Sequence, residues 1–213
     1  MIKATIFDMD GVIIDSEPIH LNADKMTLKY FGINVPDEEL NNYVGVSNAT
    51  MWAELRPKYK FPFSSEELNK KTVENKNNLF GNMKLELIPG IFELLSELRN
   101  DNIKIGLASS STKVFIEMIL NNLKIINFFD AIVSGEEVKN GKPAPDIFLK
   151  AAELLDIAPN ECLVIEDSEH GVEAAKAAGM KCIGFTNPNS GKQDLTPADT
   201  IVNSINEISY KKY

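Results

Sequence analysis

Two pairs of acids, Asp8 with Asp10 and Glu166 with Asp167, each follow a short apolar run of the chain. Asp8 and Asp10 project on the same side of an extended segment, so one carboxylate could attack a substrate or bind a metal while the other moves protons. A charged group at the end of an apolar strand is costly to bury unless it is paired or bound to a metal. Four carboxylates at one place would repel each other, so their assembly implies a cation, and oxygen donors alone predict Mg²⁺ rather than zinc.

Hydroxyl groups and one lysine complete the set of residues that could do chemistry. Ser109, Ser110 and Ser111 follow a third apolar run and precede a predicted helix. Small hydroxyl residues at a helix N-terminus present a hydroxyl and backbone N–H groups, which suits a phosphate, although the same residues also serve simply as helix caps. Lys142 lies in a Gly-Lys-Pro loop and is either a solvated loop lysine or a partner of the carboxylates.

Apolar runs alternate with helical patterns over most of the chain. Continuous apolar strands separated by helices predict a parallel sheet covered on both faces, and ligands bind outside the carboxyl ends of such strands. The fold class is therefore α/β, with a Rossmann-like parallel sheet, and the candidate residues are expected at its ligand-binding edge. The predicted strands are Lys3–Phe7, Ile103–Ala108, Ala131–Val133, Cys162–Ile165, Lys181–Phe185 and Thr200–Val202.

Residues 16–82 differ from the rest of the chain because they show helical spacing without a strand-like segment. We therefore predict a small all-α cap domain, a helical bundle at 16–82, inserted after the first strand of a catalytic core formed by residues 1–15 and 83–213. Because the insertion leaves from the ligand-binding edge, it could act as a lid over the site. Its predicted helix caps are Asp15-Ser16, Asp37, Ser47 and a capping box of Ser64 with Glu67.

The composition restricts the classes of partner. The 213 residues include 22 Lys+Arg against 31 Asp+Glu, a formal net charge of -9, which argues against a binder of nucleic acid or of an anionic membrane surface. No apolar run approaches the roughly 20 residues that span a bilayer. Cys162 and Cys182 lie in apolar runs without metal-ligand spacing, so we expect reduced, buried thiols and a soluble cytoplasmic protein. The oligomeric state is left open, and a monomer is compatible with the sequence.

Four motifs in this chain resemble those of the haloacid dehalogenase superfamily of phosphoryl-transfer enzymes. The resemblance is to the branch with a small helical cap that contains sugar phosphatases and β-phosphoglucomutases. Each motif is weak alone, but together they are highly specific, and the resemblance runs nearly the whole length, including the position of the cap. In chain order they are Phe7-Asp8-Met9-Asp10-Gly11-Val12, Leu107-Ala108-Ser109-Ser110-Ser111, Lys142-Pro143, and Glu166-Asp167-Ser168 followed by Gly171.

The resemblance implies a role for each motif residue. Asp8 would attack phosphorus and become an aspartyl-phosphate, while Asp10 would protonate the leaving oxygen and later deprotonate the incoming nucleophile. Ser109 would bind the transferring phosphoryl group together with nearby backbone amides. Lys142 would neutralise the negative charge of that group where it meets Asp8. The implied Mg²⁺ ligands are Asp8, the carbonyl of Asp10 and Asp167, with Glu166 acting through water.

Three cap residues bear on the substrate. The β-phosphoglucomutases that this chain resembles carry an arginine in the segment corresponding to residues 44–48. By that resemblance the arginine would bind the second phosphate of a bisphosphate, but this chain has Asn48 there. Losing a bidentate arginine weakens a mutase more than a phosphatase, whose acceptor is water. Lys76 matches another substrate position of the mutases or is a solvated helix lysine. His20 either orients the substrate and gates Asp10 or packs in the cap.

The sequence therefore predicts a Mg²⁺-dependent phosphatase that acts on a small phosphorylated metabolite, a sugar phosphate by resemblance, through an aspartyl-phosphate. One alternative is a β-phosphoglucomutase-like phosphosugar mutase. A remote alternative is a non-enzymatic phospho-aspartate switch, since receiver domains also combine carboxylates, a hydroxyl residue, a lysine and Mg²⁺ on a parallel sheet. Receiver domains have a different chain order of acids and lysine and have no helical insertion after the first strand.

Overall fold

The computed structural model describes residues 1–43, 48–82 and 85–213. The chain divides into two compact units, one formed by Met1–Asp15 with Leu85–Tyr213 and the other by Ser16–Lys84. We call the first the sheet unit and the second the helical unit. No helix within the described part of the chain combines the length and apolar character needed to cross a membrane.

The sheet unit is built on six parallel strands, which confirms the predicted α/β fold with a Rossmann-like sheet. The first strand of the chain lies inside the sheet, and the strand order is β3-β2-β1-β4-β5-β6. Phe7, the last residue of β1, pairs with Leu107 on one side and Ile165 on the other. The residues after these three positions therefore emerge at one edge of the sheet. The strands are β1 (Ala4–Phe7), β2 (Lys104–Ser109), β3 (Ala131–Ser134), β4 (Cys162–Glu166), β5 (Lys181–Phe185) and β6 (Thr200–Val202).

Helices cover the sheet and account for the uninterrupted apolar strands. All residues of β1 and β4 are buried, because helices pack on both faces of the sheet and leave neither face to solvent. A core of Ala, Val, Ile and Phe side chains joins β1, β2 and β4 to helices α7 and α8. The helices of this unit are α5 (Ile91–Asn100), α6 (Lys113–Asn122), α7 (Asp146–Leu155) and α8 (Glu169–Ala177).

The helical unit has its own apolar core, centred on the fully buried Trp52 with Met51, Leu55 and Leu68. A second, polar layer lies between its first and last helices, where Thr72 Oγ1 and Asn75 Nδ2 donate to Thr27 Oγ1 at 3.1 and 3.0 Å. This unit therefore combines an apolar core with a buried hydrogen-bonded layer. Its helices are α1 (Glu17–Tyr30), α2 (Asp37–Leu40), α3 (Asn48–Tyr59) and α4 (Ser65–Asn82).

Of the predicted helix caps, one forms the expected hydrogen bonds, one holds the N-cap position without a side-chain bond, and one lies inside its helix. The capping box is confirmed, because Ser64 N donates to Glu67 Oε2 at 2.8 Å and Glu67 N donates to Ser64 Oγ at 3.1 Å. Ser16 makes no capping hydrogen bond, because its backbone is already helical and Pro18 occupies the first turn. Asp37 is the first residue of α2 rather than its cap, a position that Pro36 takes. The predicted cap at residue 47 lies outside the described residues.

Candidate active site

Lys142 joins two carboxylates at the edge of the sheet. Its Nζ donates to Asp8 Oδ1 at 2.5 Å and to Glu166 Oε1 at 2.7 Å, and it also reaches the Ala108 carbonyl at 3.3 Å. The side chains of Lys142, Asp8 and Glu166 are only 8%, 9% and 1% exposed. The predicted loop lysine is thus a buried ion-pair partner. It sits at the ends of β1, β2 and β4, which are adjacent in the sheet.

Asp10 faces the serine loop after β2. Ser111 Oγ donates to Asp10 Oδ2 at 3.0 Å, and Ser109 Oγ lies 3.5 Å from the same oxygen. The loop is held in shape by a bond from Ser111 N to Ser109 Oγ at 3.1 Å and by Ser134 Oγ, which donates to the Ser111 carbonyl at 2.7 Å. Ser110 is exposed on this loop. The second acid of the first motif is therefore within hydrogen-bond reach of the predicted phosphate loop.

Glu166 is held on both of its oxygens. While Oε1 accepts from Lys142, Oε2 accepts from the backbone N–H groups of Asp167 and Ser168 at 2.8 Å each and from Ser168 Oγ at 2.9 Å. A Cβ at Gly171 would lie 1.7 Å from Glu166 Oε1, so the carboxylate needs a residue without a side chain at this position of α8. This geometry makes Glu166 a support for Lys142 and for the end of β4.

Asp167 packs against the loop after β1. A Cβ at Gly11 would lie 2.0 Å from Asp167 Oδ2, and Gly11 has a φ of +82°, a conformation that favours glycine. Asp167 Oδ2 also accepts a hydrogen bond from the Ser190 hydroxyl. The side chain of Asn187 donates to the Gly11 carbonyl at 2.9 Å. One loop after β5 therefore contacts both acid-bearing segments.

The carboxylates at this edge are strained electrostatically. Burial and the charges of Glu166 and Asp10 together raise the pKa of Asp8 to about 7, although the positive charge of Lys142 lowers it. Burial likewise raises the pKa of Asp167 well above its ordinary value, together with the charges of Glu166 and Asp8. Burial disfavours the charged form of Lys142, but its two carboxylate partners outweigh that effect and raise its pKa. Negative charge is therefore in excess at this edge of the sheet.

The predicted cap residues form a cluster within the helical unit. Asn48, the first residue of α3, donates through Nδ2 to Asp24 Oδ1 at 2.7 Å, and its Oδ1 accepts from Lys76 Nζ at 2.7 Å. Burial raises the pKa of Asp24 to about 6, opposed by Lys76, the Asn48 hydrogen bond and His20. The His20 ring lies 5.7 Å from the Phe80 ring, centroid to centroid. Asn48 thus links α1, α3 and α4.

A protein-family model for haloacid dehalogenase-like hydrolases matches residues 5–185. The chain belongs to the haloacid dehalogenase-like hydrolase family. It is 37% identical to a β-phosphoglucomutase of Bacillus subtilis, over 97% of this chain and 92% of the relative. It is 32% identical to a phosphorylated carbohydrates phosphatase of Thermotoga maritima, over 97% of this chain and 99% of the relative.

The chain is also similar to a solved structure over nearly its whole length. CbbY of Rhodobacter sphaeroides, in complex with xylulose-1,5-bisphosphate, matches with a TM-score of 0.84 and 25% identity over 98% of this chain and 97% of that chain. The family match and the two relatives show that the present chain is an enzyme of the phosphatase and phosphomutase class. A non-enzymatic phospho-aspartate switch does not fit this family.

A divalent cation would fit the edge of the sheet in this hydrolase. The fit rests on two buried carboxylates, Asp8 and Asp167, whose pKa values are raised by burial and by the charge of Glu166. It rests also on the glycine at position 11, which lets Asp167 approach the first loop. Within residues 1–43, 48–82 and 85–213, no three His, Cys, Asp or Glu side chains form a metal cluster. The described side chains therefore do not form a closed cage for a metal.

Sequence reasoning missed three polar residues of these clusters: Ser111 as the partner of Asp10, Ser190 as the partner of Asp167, and Asp24 in the helical unit. A signal existed for Ser111, which belongs to the serine loop already singled out. Ser190 lies in a Pro-Asn-Ser-Gly turn, and turns of this composition are common. The partners of Asp24 are Asn48 and Lys76, which lie 24 and 52 positions away in the sequence, so no local pattern identifies Asp24.

Proposed function

We propose that the protein is a magnesium-dependent phosphatase that removes phosphate from a small phosphorylated sugar through an aspartyl-phosphate on Asp8. The single observation that carries the proposal is the buried contact of Lys142 with Asp8 and Glu166, with Asp10 beside the serine loop. A buried lysine next to a carboxylate at the end of a central strand gives an anionic group a place to bind beside a nucleophile. Phosphoryl transfer needs in-line positioning and cancellation of negative charge; Asp8, Asp10 and the serine loop would provide the first, and Lys142 together with a bound cation would provide the second.

The reaction would proceed in two displacements. An oxygen of Asp8 forms a bond to phosphorus while the bond from phosphorus to the sugar oxygen breaks, and Asp10 in its protonated form gives its proton to that oxygen. Asp10, now a carboxylate, takes a proton from water as the water oxygen attacks phosphorus, and the bond to Asp8 breaks to release phosphate. Ser109 and the backbone amides of its loop would hold the phosphoryl oxygens, and Lys142 would balance their charge. A Mg²⁺ ion bound there would supply further charge neutralisation.

The choice of a phosphatase over a mutase rests on the helical unit. Where the resemblance implies an arginine for a second phosphate in the mutases, this chain has Asn48, whose amide is already engaged by Asp24 and Lys76. Asp24 also balances the charge of Lys76, so this cluster is poorly suited to a second phosphate. An enzyme whose acceptor is water has no need to hold two phosphates at once.

A phosphosugar mutase is the second candidate, favoured by the 37% identity to the β-phosphoglucomutase of Bacillus subtilis. The two functions are separated by one assay that measures phosphate release from a panel of sugar phosphates and, in parallel, interconversion of β-glucose 1-phosphate and glucose 6-phosphate. We expect release without interconversion. Interconversion stimulated by a sugar bisphosphate, with negligible release, would establish the mutase instead.

The same assay tests the assignment of the nucleophile. In Asp8→Asn we expect kcat to fall by on the order of 10³-fold or more, because a carboxamide cannot form the covalent intermediate. Asp15→Asn, which alters an acid of the same segment that bonds Asn189, is the matched control and should retain activity within a few fold. Normal turnover by Asp8→Asn would reject the mechanism.

A further inference from the structure

The loop after β5 closes a ring of contacts around Asp167. Asn187 donates to the Gly11 carbonyl at 2.9 Å, Gly11 packs against Asp167, and the Ser190 hydroxyl donates to Asp167 Oδ2. Ser190 N donates in turn to the Asn187 carbonyl at 3.2 Å, which completes the ring. Asn187, Ser190 and Asp167 are all buried. The orientation of the Asp167 carboxylate is therefore fixed from two sides.

The two carboxylate oxygens of Asp167 have different contacts within this ring. Oδ2 takes the hydrogen bond from Ser190 and is the oxygen nearest to Gly11, where a Cβ would lie at 2.0 Å compared with 3.0 Å from Oδ1. The bond to Ser190 occupies Oδ2 and keeps the carboxylate from rotating, so Oδ1 is the oxygen that can face a cation. A carboxylate held in this way offers one oxygen rather than two.

We propose that Ser190 is a positioning residue that restricts Asp167 to one-oxygen coordination of a divalent cation and thereby favours Mg²⁺ over Ca²⁺. Mg²⁺ demands near-ideal octahedral geometry with short bonds, whereas Ca²⁺ takes six to eight ligands and readily accepts both oxygens of a carboxylate. Freeing Oδ2 would let Asp167 bind with both oxygens, which suits the larger ion. This inference rests on the metal requirement of the proposed function.

Side chains that orient a metal-binding carboxylate usually matter for affinity, and their loss typically costs about 10- to 100-fold. The other hydrogen bonds of Ser190 use its backbone: its N–H donates to the Asn187 carbonyl, and its carbonyl accepts from Gln193 Nε2 at 2.8 Å. The side chain of Ser190 can therefore be changed without removing the backbone contacts of the loop. The effect of its hydroxyl on metal binding can be measured in isolation.

The test is calorimetric titration of the full-length, metal-free protein with MgCl₂ and separately with CaCl₂. In Ser190→Ala we expect the Kd for Mg²⁺ to rise about tenfold while the Kd for Ca²⁺ changes by less than about threefold. Ser190→Thr keeps the hydroxyl and should restore the Mg²⁺ preference. Thr196→Val is the matched control, because it removes another hydroxyl of the same loop that donates to a carboxylate, Asp194 Oδ1, at 2.6 Å. It should leave both Kd values unchanged.

Equal changes for both ions, or no change for either, in Ser190→Ala would overturn the inference while leaving the proposed function intact. If the wild-type protein does not bind Mg²⁺, the metal requirement itself fails, and the inference fails with it. If Ser190→Ala does not fold, Ser190→Cys, which retains a weaker donor, is titrated instead. A partial loss of Mg²⁺ preference in that variant supports the inference, and an unchanged preference rejects it.

Discussion

Lys142 holds together charges that would otherwise be costly to bury. It contacts Asp8 and Glu166 in a place where all three side chains are nearly inaccessible to water. Desolvation of such groups is compensated only while every partner is present. Removing the lysine leaves two buried carboxylates, and these can avoid the penalty only by taking up protons. The stability of the protein should therefore become pH-dependent when Lys142 is replaced.

In Lys142→Met we expect the free energy of unfolding at pH 8, without metal, to fall by about 3–5 kcal/mol. The pKa of Asp8 is already raised to about 7 with the lysine present, so its loss raises it further. A raised carboxyl pKa in the folded state means that stability falls as the pH rises, so the deficit should be smaller at pH 5. Urea denaturation of the wild type and of Lys142→Met at both pH values measures this loss of unfolding free energy.

Lys58→Met serves as the control for this substitution. Lys58 pairs with Glu39 at 2.6 Å, but its side chain is 55% exposed, so its loss should leave the free energy of unfolding nearly unchanged at either pH. A deficit in Lys142→Met that is equally small, or that does not change with pH, would contradict the view that Lys142 balances buried charge.

Asp24 gives a second pH-dependent effect, this time in the helical unit. Its pKa rises from the ordinary 3.8 to about 6, chiefly through burial, so the folded state holds a proton there that the unfolded chain has lost. The contribution of Asp24 to stability should therefore decrease as the pH rises through this range. Relative to Asp24→Asn, the wild type should lose about 2 kcal/mol of unfolding free energy between pH 4 and pH 7. Parallel pH profiles of the two proteins in urea denaturation would exclude this assignment.

At the scale of elements, helix α8 shapes the site through a missing side chain. A Cβ at Gly171 would lie 1.7 Å from Glu166 Oε1, the oxygen that accepts from Lys142. Gly171→Ala should therefore displace Glu166, destabilise the protein by about 1–3 kcal/mol and lower kcat, although alanine favours helix. A Cβ added at Gly81 in α4 would have no neighbour within 4 Å, so Gly81→Ala should be neutral or stabilising by up to about 1 kcal/mol. Thermal unfolding and phosphate release compare the two, and similar results for both would contradict the prediction.

The elements themselves were largely predictable because their patterns are local. All six strands were expected from short apolar runs, and the structure has them within one or two residues at each end. The capping box of Ser64 and Glu67 was also correct, since its two residues are three apart. Ser16 holds the N-cap position of α1 as expected, but its side chain makes no capping hydrogen bond, because the backbone at that residue is already helical, and residue type alone cannot reveal that.

Only the part of the site that lies at the ends of adjacent strands was predictable from the sequence. Asp8, Lys142 and Glu166 were expected at one edge of a parallel sheet, and their contacts follow from that topology. Ser190 and Asp24 were not expected, because their partners Asp167 and Asn48 lie 23 and 24 residues away in the sequence, on other elements. Their importance arises from packing, which depends on the whole three-dimensional arrangement.

For the whole molecule, the order of the strands ties the stability of the sheet unit to distant parts of the chain. β1 lies in the sheet between β2 and β4, which follow it only after residues 16–84 have been inserted. Opening the sheet at β4 therefore disrupts a pairing with β1 that connects both sides of the insertion. Cation binding at Asp8 and Asp167 would stabilise this same unit, because the ligands come from the ends of β1 and β4.

The two cysteines allow this coupling to be measured. Cys162 on β4 and Cys182 on β5 are free and fully buried, and burial raises the pKa of Cys162 to about 11, so native thiols should react with a disulfide reagent only after the sheet opens. Because cation binding favours the closed state, Mg²⁺ at about 100 times its Kd should slow labelling about a hundredfold. Asp167→Asn should remove this dependence. Labelling as fast as that of an exposed thiol, or insensitive to Mg²⁺ in the wild type, would show that the cation does not stabilise the sheet.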